Sequence, residues 1–179
     1  MGRNLRKWML AAGLWAVSSL MAQALRTATG EDLPEQSTIR EEQGFTLRKE
    51  HDSLYWLNGW RLPYPVYQFQ TGDVDGDGRL EAMVGVVKST RFYPERGRRL
   101  FIFKAVGREQ KARPLWLGSR LGGTLQDFRY RDGRIRSLET TDDGRWVVAD
   151  YRWSGFGMAF ERFVVKGTDK ETANKYFNQ

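Results

Sequence analysis

From Phe45 onward the sequence consists of short apolar and aromatic runs, each about five to eight residues long and bounded by glycine, proline or aspartate. Runs of this length between turn-forming residues are typical of β-strands. No run repeats its apolar residues at the i, i+3, i+4, i+7 spacing of a long amphipathic helix. The pattern predicts strands over residues 53–57, 66–71, 81–88, 99–106, 113–117, 124–131, 134–141, 145–153 and 158–165, and a short helix only over residues 168–177.

Short turns between successive strands predict an antiparallel meander. The clearest turns are Asp132-Gly133 and Asp143-Gly144, because a two-residue hairpin turn needs positive φ, which Gly and Asp tolerate. We therefore predict an all-β domain of about nine strands over residues 44–166, built as a small sandwich, an open barrel or two propeller-blade-like sheets. A polar linker over residues 25–43 and a polar C-terminal tail over residues 167–179 flank this domain.

Residues 1–24 have the pattern of a secretory signal peptide. Arg3, Arg6 and Lys7 precede an uncharged apolar run over residues 8–21, which is shorter than the roughly 20 residues that span a bilayer. An Ala-Gln-Ala sequence follows and predicts cleavage after Ala24. We expect the mature chain, with no further transmembrane segment, in the periplasm or outside the cell; an uncleaved membrane anchor is the alternative.

The composition excludes several kinds of site. The chain has no cysteine, which excludes disulfides, thiolate zinc sites, iron–sulfur clusters and cysteine nucleophiles. His51 is the single histidine, so a multi-histidine metal site is excluded as well. The formal charge of +7 includes the three basic residues of the leader, and this mild excess does not indicate nucleic-acid binding. Any metal bound by this chain must therefore be held by oxygen ligands.

The segment over residues 72–81 is here called the acidic loop. Counted from Asp73 as position 1, it has carboxylates at positions 1, 3, 5 and 9 and Gly78 at position 6. Alternate carboxylates on a tightly coiled loop converge on one point, and Ca²⁺ takes six to eight oxygen ligands. An EF-hand is excluded, because its position 12 requires a glutamate and here is Val84. The alternative is a solvated acidic turn that binds nothing. The four acids, which would repel one another without a cation, are Asp73, Asp75, Asp77 and Glu81.

The acidic loop and its flanking strands resemble the calcium loops of the FG-GAP and integrin-type propeller family, in which a DxDxDG loop with a further acid joins two strands. The resemblance covers residues 65–89. That family repeats the loop in several blades, whereas this chain has one copy, so the resemblance implies the local hairpin rather than a complete propeller. It implies a Ca²⁺ ion held by Asp73, Asp75, Asp77, the main-chain carbonyl of Arg79 and Glu81.

A second charged cluster, here called the arginine face, lies around Asp132-Gly133. A two-residue turn there places Arg131 opposite Arg134 and Arg129 opposite Arg136, with all four guanidinium groups on one face. Like charges directly opposite one another destabilise a sheet unless an anion or an aromatic ring covers them. The arginine face is therefore a candidate binding site for a phosphate or a carboxylated glycan.

Internal compensation is the alternative for the arginine face, and it is the one we favour. Continuing the strand register through Asp143-Gly144 places Arg136 beside Tyr151 and Arg134 beside Trp153, where guanidinium groups stack on rings. Glutamates from elsewhere in the chain can also cover the face.

These observations predict a secreted, non-catalytic binding or structural module that is stabilised by one calcium ion and contacts an envelope protein or glycan. The alternative is a secreted hydrolase of glycans or phosphodiesters that uses Asp127, Glu139 or Asp150 as acid and base. No carboxylate pair outside the acidic loop marks such a site. The sequence His51-Asp52-Ser53 does not indicate a triad, because neighbours in an extended chain do not point at one another.

Overall fold

Four consecutive strands at a time fold into one antiparallel sheet, and three such sheets account for nearly all of the described chain. The structure is a computed structural model, and it describes residues 39–91, 93–118 and 121–179. The first sheet contains β1 (Ile39–Glu42), β2 (Phe45–His51), β3 (Leu54–Leu57) and β4 (Trp60–Leu62). The middle sheet contains β5 (Val66–Gly72), β6 (Glu81–Lys88), β7 (Gly97–Val106) and β8 (Lys111–Trp116). The third sheet contains β9 (Thr124–Arg131), β10 (Arg134–Thr140), β11 (Trp146–Trp153) and β12 (Met158–Thr168), and helix α1 (Lys170–Asn178) follows.

The all-β prediction is confirmed, but the described residues form twelve strands rather than nine. All nine predicted strands are present. The additional ones are β1, β2 and β4, which lie at or before residue 62. β1 is polar apart from Ile39 and lies within the predicted linker, yet it pairs with β2 along its whole length. β2 alternates, with Phe45 and Leu47 buried and Thr46 and Arg48 exposed, but two apolar residues are a weak periodic signal.

The middle sheet is buried on both faces, which explains the nearly continuous apolar sequence of β6. Ala82 and Val84 pack with Phe45 of the first sheet, and Met83 packs in a second cluster with Phe128 of the third sheet. Only glycine fits at position 85, because the ring of Tyr67 lies against its α-carbon and a Cβ would come within 2.6 Å of the ring. The middle sheet is therefore the layer that the other two sheets cover.

The third sheet is covered by the middle sheet on its inner face and by α1 on its outer face. Ala173 and Phe177, one turn apart on α1, pack against Leu138 and Val148. The helix begins where the Asp169 carboxylate accepts a hydrogen bond of 2.8 Å from the Thr172 N–H. The predicted short C-terminal helix is thus confirmed, and it closes a hydrophobic cluster.

Each sheet has the sequential four-stranded order of a propeller blade, and three such sheets are present, whereas the blade-like alternative of the prediction had two. The described strands form open sheets that pack face to face and do not close into a barrel. The predicted leader and most of the predicted linker lie in residues 1–38, outside the described residues.

Candidate metal centre

The acidic loop joins β5 and β6 of the middle sheet and is coiled by its own aspartates. The two carboxylate oxygens of Asp73 accept hydrogen bonds from the N–H groups of Gly76 (2.7 Å) and Gly78 (3.0 Å). Both glycines have positive φ, +75° and +80°, which a side chain would oppose. Asp77 in turn accepts a hydrogen bond of 2.9 Å from the Arg79 N–H. These short-range bonds turn the loop back on itself around the Asp73 carboxylate.

Glu81, the first residue of β6, is fully buried beneath the loop. Its Oε2 accepts hydrogen bonds from the N–H groups of Val74 (2.8 Å) and Asp75 (3.4 Å). Its Oε1 is also buried and has no hydrogen-bond partner among the described residues. Burial raises the pKa of Glu81 and the charge of Asp75 raises it further, while the two N–H donors oppose the shift. A buried oxygen without a partner is unusual and requires a compensating group.

Three carboxylates converge at this point. Asp73, Asp75 and Glu81 each offer an oxygen atom, and these oxygens lie within 4.8 Å of one another. Oxygens about 2.3 to 2.6 Å from a shared Ca²⁺ ion have separations of this order. The structure therefore brings together three of the four predicted acidic ligands. The fourth, Asp77, lies outside this group, and Arg79 contacts Asp77 through its main-chain N–H.

Lys104 of β7 reaches into the acidic loop, a contact that the sequence analysis missed. Its Nζ lies 2.5 Å from Asp75 Oδ2, 2.7 Å from Asp77 Oδ2 and 3.9 Å from Glu81 Oε1. These carboxylates raise the pKa of Lys104, and hydrogen bonds from Lys104 and from the Arg79 N–H lower the pKa of Asp77. Lys104 is directly opposite Glu81 in the β6–β7 register, a pairing with no local sequence signal.

One ammonium group does not balance four carboxylates. The distance of 3.9 Å from Lys104 Nζ to Glu81 Oε1 is too long for a hydrogen bond, so Oε1 keeps its lone pairs free. The donor set fits a hard cation, because all of the candidate ligands are oxygens. A cation that binds Asp75 through Oδ2 must move Lys104 aside, because both cannot occupy that oxygen at bonding distance.

The acidic loop is also attached to the third sheet through Tyr130 of β9. The Tyr130 hydroxyl donates to the carbonyl of Asp73 (2.9 Å), and its N–H donates to the side-chain oxygen of Gln70 (2.8 Å). Gly72 lies so close to the Tyr130 ring that any Cβ would overlap it. Val74 is buried in the cluster shared by the two sheets. The loop thus lies at the junction of the middle and third sheets.

The arginine face has the predicted register within its own hairpin. Arg134 pairs with Arg131 and Arg136 with Arg129. The turn that joins them has the expected backbone, with φ of +47° at Asp132 and +74° at Gly133. The four side chains lie on the outer face of the third sheet, beside α1.

The predicted ring stacking of Arg136 on Tyr151 and Arg134 on Trp153 is wrong. At Asp143-Gly144 only the glycine has positive φ, and β10 and β11 are joined by the five residues 141–145 rather than by two. The register consequently shifts by one residue, which places Arg136 opposite Asp150 and Tyr151 opposite Ile135. A shift of one residue exchanges the two faces of a strand, so the rings lie on the inner face instead.

Acids and one ring of the chain itself engage three of the four arginines. Arg134 donates two hydrogen bonds to Glu161, of 2.8 and 3.0 Å, and Arg136 donates two to the buried Asp150, of 2.9 and 3.2 Å. The guanidinium of Arg129 lies 4.8 Å from the ring centroid of Phe177. Arg131 makes no ion pair among the described residues. The alternative of internal compensation therefore accounts for most of this face, and these contacts do not define a ligand site.

The three carboxylates considered for hydrolysis do not form a pair. Asp150 faces the outer side of the third sheet, where Arg136 and Arg162 hold it. Glu139 is buried on the inner face and accepts hydrogen bonds from the Ser137 hydroxyl and the Gly123 N–H. Asp127 accepts a hydrogen bond of 2.9 Å from the N–H of the next residue. Opposite faces of one sheet separate Glu139 from Asp150, so they do not flank a common bond.

The His51-Asp52-Ser53 segment does not form a triad. The 3.5 Å contact between His51 Nδ1 and Ser53 is made by the serine N–H and not by its hydroxyl. An imidazole that accepts from a main-chain N–H does not activate the serine hydroxyl as a nucleophile.

Comparison of the chain with protein-family models, with curated proteins and with solved structures finds no match in any of the three. Within the described residues, no helix has both the length and the apolar character needed to cross a membrane.

Proposed function

We propose that this chain is a non-catalytic binding or structural module in which one calcium ion stabilises the junction of the middle and third sheets. The observation that carries this proposal is the buried Glu81 carboxylate, which lacks a hydrogen bond at Oε1 and offers one of its oxygens within 4.8 Å of oxygens of Asp73 and Asp75. A bound cation supplies the missing partner and offsets the repulsion among the acids.

Calcium is the ion that best suits this loop. The ligands are carboxylates on a coiled, glycine-containing segment, and Ca²⁺ accepts six to eight oxygens in flexible geometry, whereas Mg²⁺ requires a near-ideal octahedron. The resemblance to the FG-GAP loops points to the same ion. The ligand set we propose is Asp73, Asp75, Asp77 after release from Lys104, the Arg79 carbonyl and Glu81.

The ion in this proposal has a structural role. Asp73 is attached to Tyr130 of the third sheet through its carbonyl, and Glu81 begins β6, an inner strand of the middle sheet. A cation that binds both carboxylates therefore ties the two sheets together. The predicted signal peptide over residues 1–24 supports export, and an extracytoplasmic setting makes an envelope protein or glycan the partner class we propose.

Calorimetric titration with Ca²⁺ and thermal melting in Ca²⁺ or in chelator test the proposal. We expect Ca²⁺ to bind with measurable heat and to raise the melting temperature of the natural protein. Glu81→Gln removes a ligand charge at nearly constant volume and abolishes both effects. The matched control is Glu109→Gln, because Glu109 is an exposed acid paired with Lys111 at another turn of the middle sheet.

A natural protein that gives no heat with Ca²⁺ and melts at the same temperature in chelator would contradict the proposed ion. The partner class is tested separately, by affinity capture from envelope extract and by a glycan array, each in Ca²⁺ and in chelator. Turnover of a glycan or phosphodiester that is lost in Glu139→Gln or Asp150→Asn would contradict the non-catalytic role.

A further inference from the structure

A cavity of about 840 Å³ opens on the inner face of the third sheet. Its walls come from β10, β11, β12, residues 121–123 and the β10–β11 connection. Small-molecule sites in proteins typically have volumes of about 300 to 1,000 Å³ and are mostly apolar with a few polar groups. The cavity therefore has the size of a small-molecule site, and its charged side chains indicate which class of molecule suits it.

Four charged side chains line the cavity, two acidic and two basic. The carboxylate of Asp143 lies 3.5 Å from the guanidinium of Arg145, so these two compensate each other in an exposed ion pair. The other two are Glu139 and Lys166, and neither forms an ion pair among the described residues. The lining as a whole is neutral, but it leaves one carboxylate and one ammonium without a partner of opposite charge.

The unmatched carboxylate, Glu139, is buried, with only 2% of the residue exposed. It accepts hydrogen bonds from the Ser137 hydroxyl and the Gly123 N–H, and both donors are neutral. Glutamate is almost never fully buried without a partner, because burial removes the water that stabilises its charge. A carboxylate has about four acceptor positions, so two hydrogen bonds leave room for a further donor. Glu139 therefore indicates a ligand with a cationic group.

Glu139 and Lys166 lie in one row across the sheet, with Val147 between them. Val147 pairs with Glu139 in the β10–β11 register and with Lys166 in the β11–β12 register. Neighbouring strands are about 4.8 Å apart, so the α-carbons of the two charged residues are separated by about 10 Å. The two opposite charges thus lie on either side of Val147, and a ligand above Val147 can contact both.

The next two rows along the strands carry the apolar wall of the cavity. Phe163 pairs with Ala149 and Phe160 with Tyr151, and the two phenylalanine rings have centroids 4.7 Å apart. Each phenylalanine is 50% exposed. The first of these rows is two residues, or about 7 Å, from Val147. An apolar group attached to a ligand above Val147 can therefore pack on both rings.

We propose that this cavity binds a zwitterionic α-amino acid with a large apolar side chain. Its ammonium contacts Glu139, its carboxylate contacts Lys166, and its side chain packs on Phe163 and Phe160. The two charges of an α-amino acid are roughly 3 Å apart. Charge-assisted contacts of about 2.8 Å at each end extend this span to about 9 Å, close to the separation of the row. The site is separate from the acidic loop and does not depend on the calcium ion.

L-Phenylalanine is the probe, titrated calorimetrically in chelator so that calcium binding does not contribute. Two analogues keep the ring and one charge each: 2-phenylethylamine has only the ammonium, and 3-phenylpropanoate has only the carboxylate. We expect L-phenylalanine to bind about tenfold more tightly than either analogue, because only the zwitterion makes both charge-assisted contacts.

Two variants assign the contacts. Lys166→Gln weakens L-phenylalanine about tenfold and does not weaken 2-phenylethylamine, which has no group for Lys166. Glu139→Gln weakens L-phenylalanine by a similar factor and does not weaken 3-phenylpropanoate. Phe163→Ser weakens all three ligands, because each of them uses the apolar wall.

The matched controls are Lys111→Gln and Glu109→Gln, which alter an exposed ion pair of the middle sheet and leave all three affinities unchanged. Melting temperatures show whether each variant folds. If Glu139→Gln does not fold, the three ligands on the natural protein and on Lys166→Gln still test the proposal. An analogue that binds the natural protein as tightly as L-phenylalanine would overturn zwitterion recognition. A folded natural protein that does not bind L-phenylalanine, or full affinity in Phe163→Ser, would overturn the site itself.

Discussion

The acidic loop of the middle sheet and the arginine face of the third sheet are both clusters of like charge, but they differ in how far other side chains of the protein compensate that charge. On the arginine face, Asp150 of β11 and Glu161 of β12 accept two hydrogen bonds each, from Arg136 and Arg134 respectively. In the acidic loop one lysine faces several acids, and a buried oxygen of Glu81 has no hydrogen bond. A like-charge cluster therefore indicates a ligand only where the chain itself leaves charge or polar atoms uncompensated.

The largest effect is expected from breaking the compensation of the arginine face. Asp150→Ala leaves Arg136, which is mostly buried, without its carboxylate. Removing one partner of a buried ion pair costs about 3 to 5 kcal/mol, and we expect a loss of that order in the free energy of unfolding. Urea denaturation measures it. The control Asp143→Ala removes an exposed pair with Arg145 and changes stability by less than about 1 kcal/mol. Equal effects of the two variants would contradict the difference in burial.

An intermediate effect is expected at the acidic loop when its lysine is removed. Lys104→Met abolishes contacts with Asp75 and Asp77. In chelator we therefore expect the free energy of unfolding to fall by about 2 kcal/mol, the size typical of hydrogen bonds to charged groups. In Ca²⁺ the substitution is expected to favour the bound form, because the ion no longer competes with the ammonium of Lys104. We expect the Kd for Ca²⁺ to fall about tenfold. Calorimetry and melting measure both effects.

Lys111→Met is the control for this prediction, because Lys111 pairs with Glu109 on the surface, away from the loop. Weaker binding of Ca²⁺ to Lys104→Met than to the natural protein would show that the lysine supports the ion instead of competing with it. Increased stability in chelator would show that the ammonium does not compensate the loop.

The smallest effect is expected from acid. Burial alone raises the pKa of Asp150, but hydrogen bonds from Arg136 and Arg162 outweigh it and lower the pKa below its ordinary value. The folded pKa is below the unfolded one, so Asp150 stabilises the fold above about pH 4, and this contribution is lost as pH falls through the folded pKa. The loss is smaller than in Asp150→Ala, because protonation leaves the side chain in place. Urea midpoints between neutral and acidic pH measure it, and Asp150→Asn should flatten this part of the profile.

The features that followed from sequence are those with a local cause. Short apolar runs between turn residues identified nine strands, and Asp132-Gly133 predicted the register of Arg129 to Arg136 because its turn type permits one pairing. β1 and β4 were missed because a four-residue strand with one apolar residue and a three-residue strand carry no periodic pattern. The register predicted from Asp143-Gly144 was wrong, because Asp143 does not adopt the positive φ of a two-residue turn. The register of β11 is therefore shifted by one residue from the predicted one.

The candidate metal site was likewise predicted only in its local part. The spacing of Asp73, Asp75 and Glu81 predicted their convergence, because a coiled loop brings alternate residues to one side. Lys104 was missed because its place opposite Glu81 depends on the length of the β6–β7 connection, which no turn rule specifies. The cavity beside Phe160 and Phe163 was also missed, because it exists only where residues 121–123 lie over the third sheet.

The amino-acid sequence by itself determined an all-β chain, a coiled acidic loop and an arginine-rich hairpin, because backbone propensity and spacing act over a few residues. Tertiary structure alone decided which charges are compensated. Electrostatic partners such as Lys104 for the loop and Asp150 for Arg136 come from other strands, and a register change of one residue moves a side chain to the opposite face. Compensation depends on these distant pairings and on burial, which only the packed sheets establish.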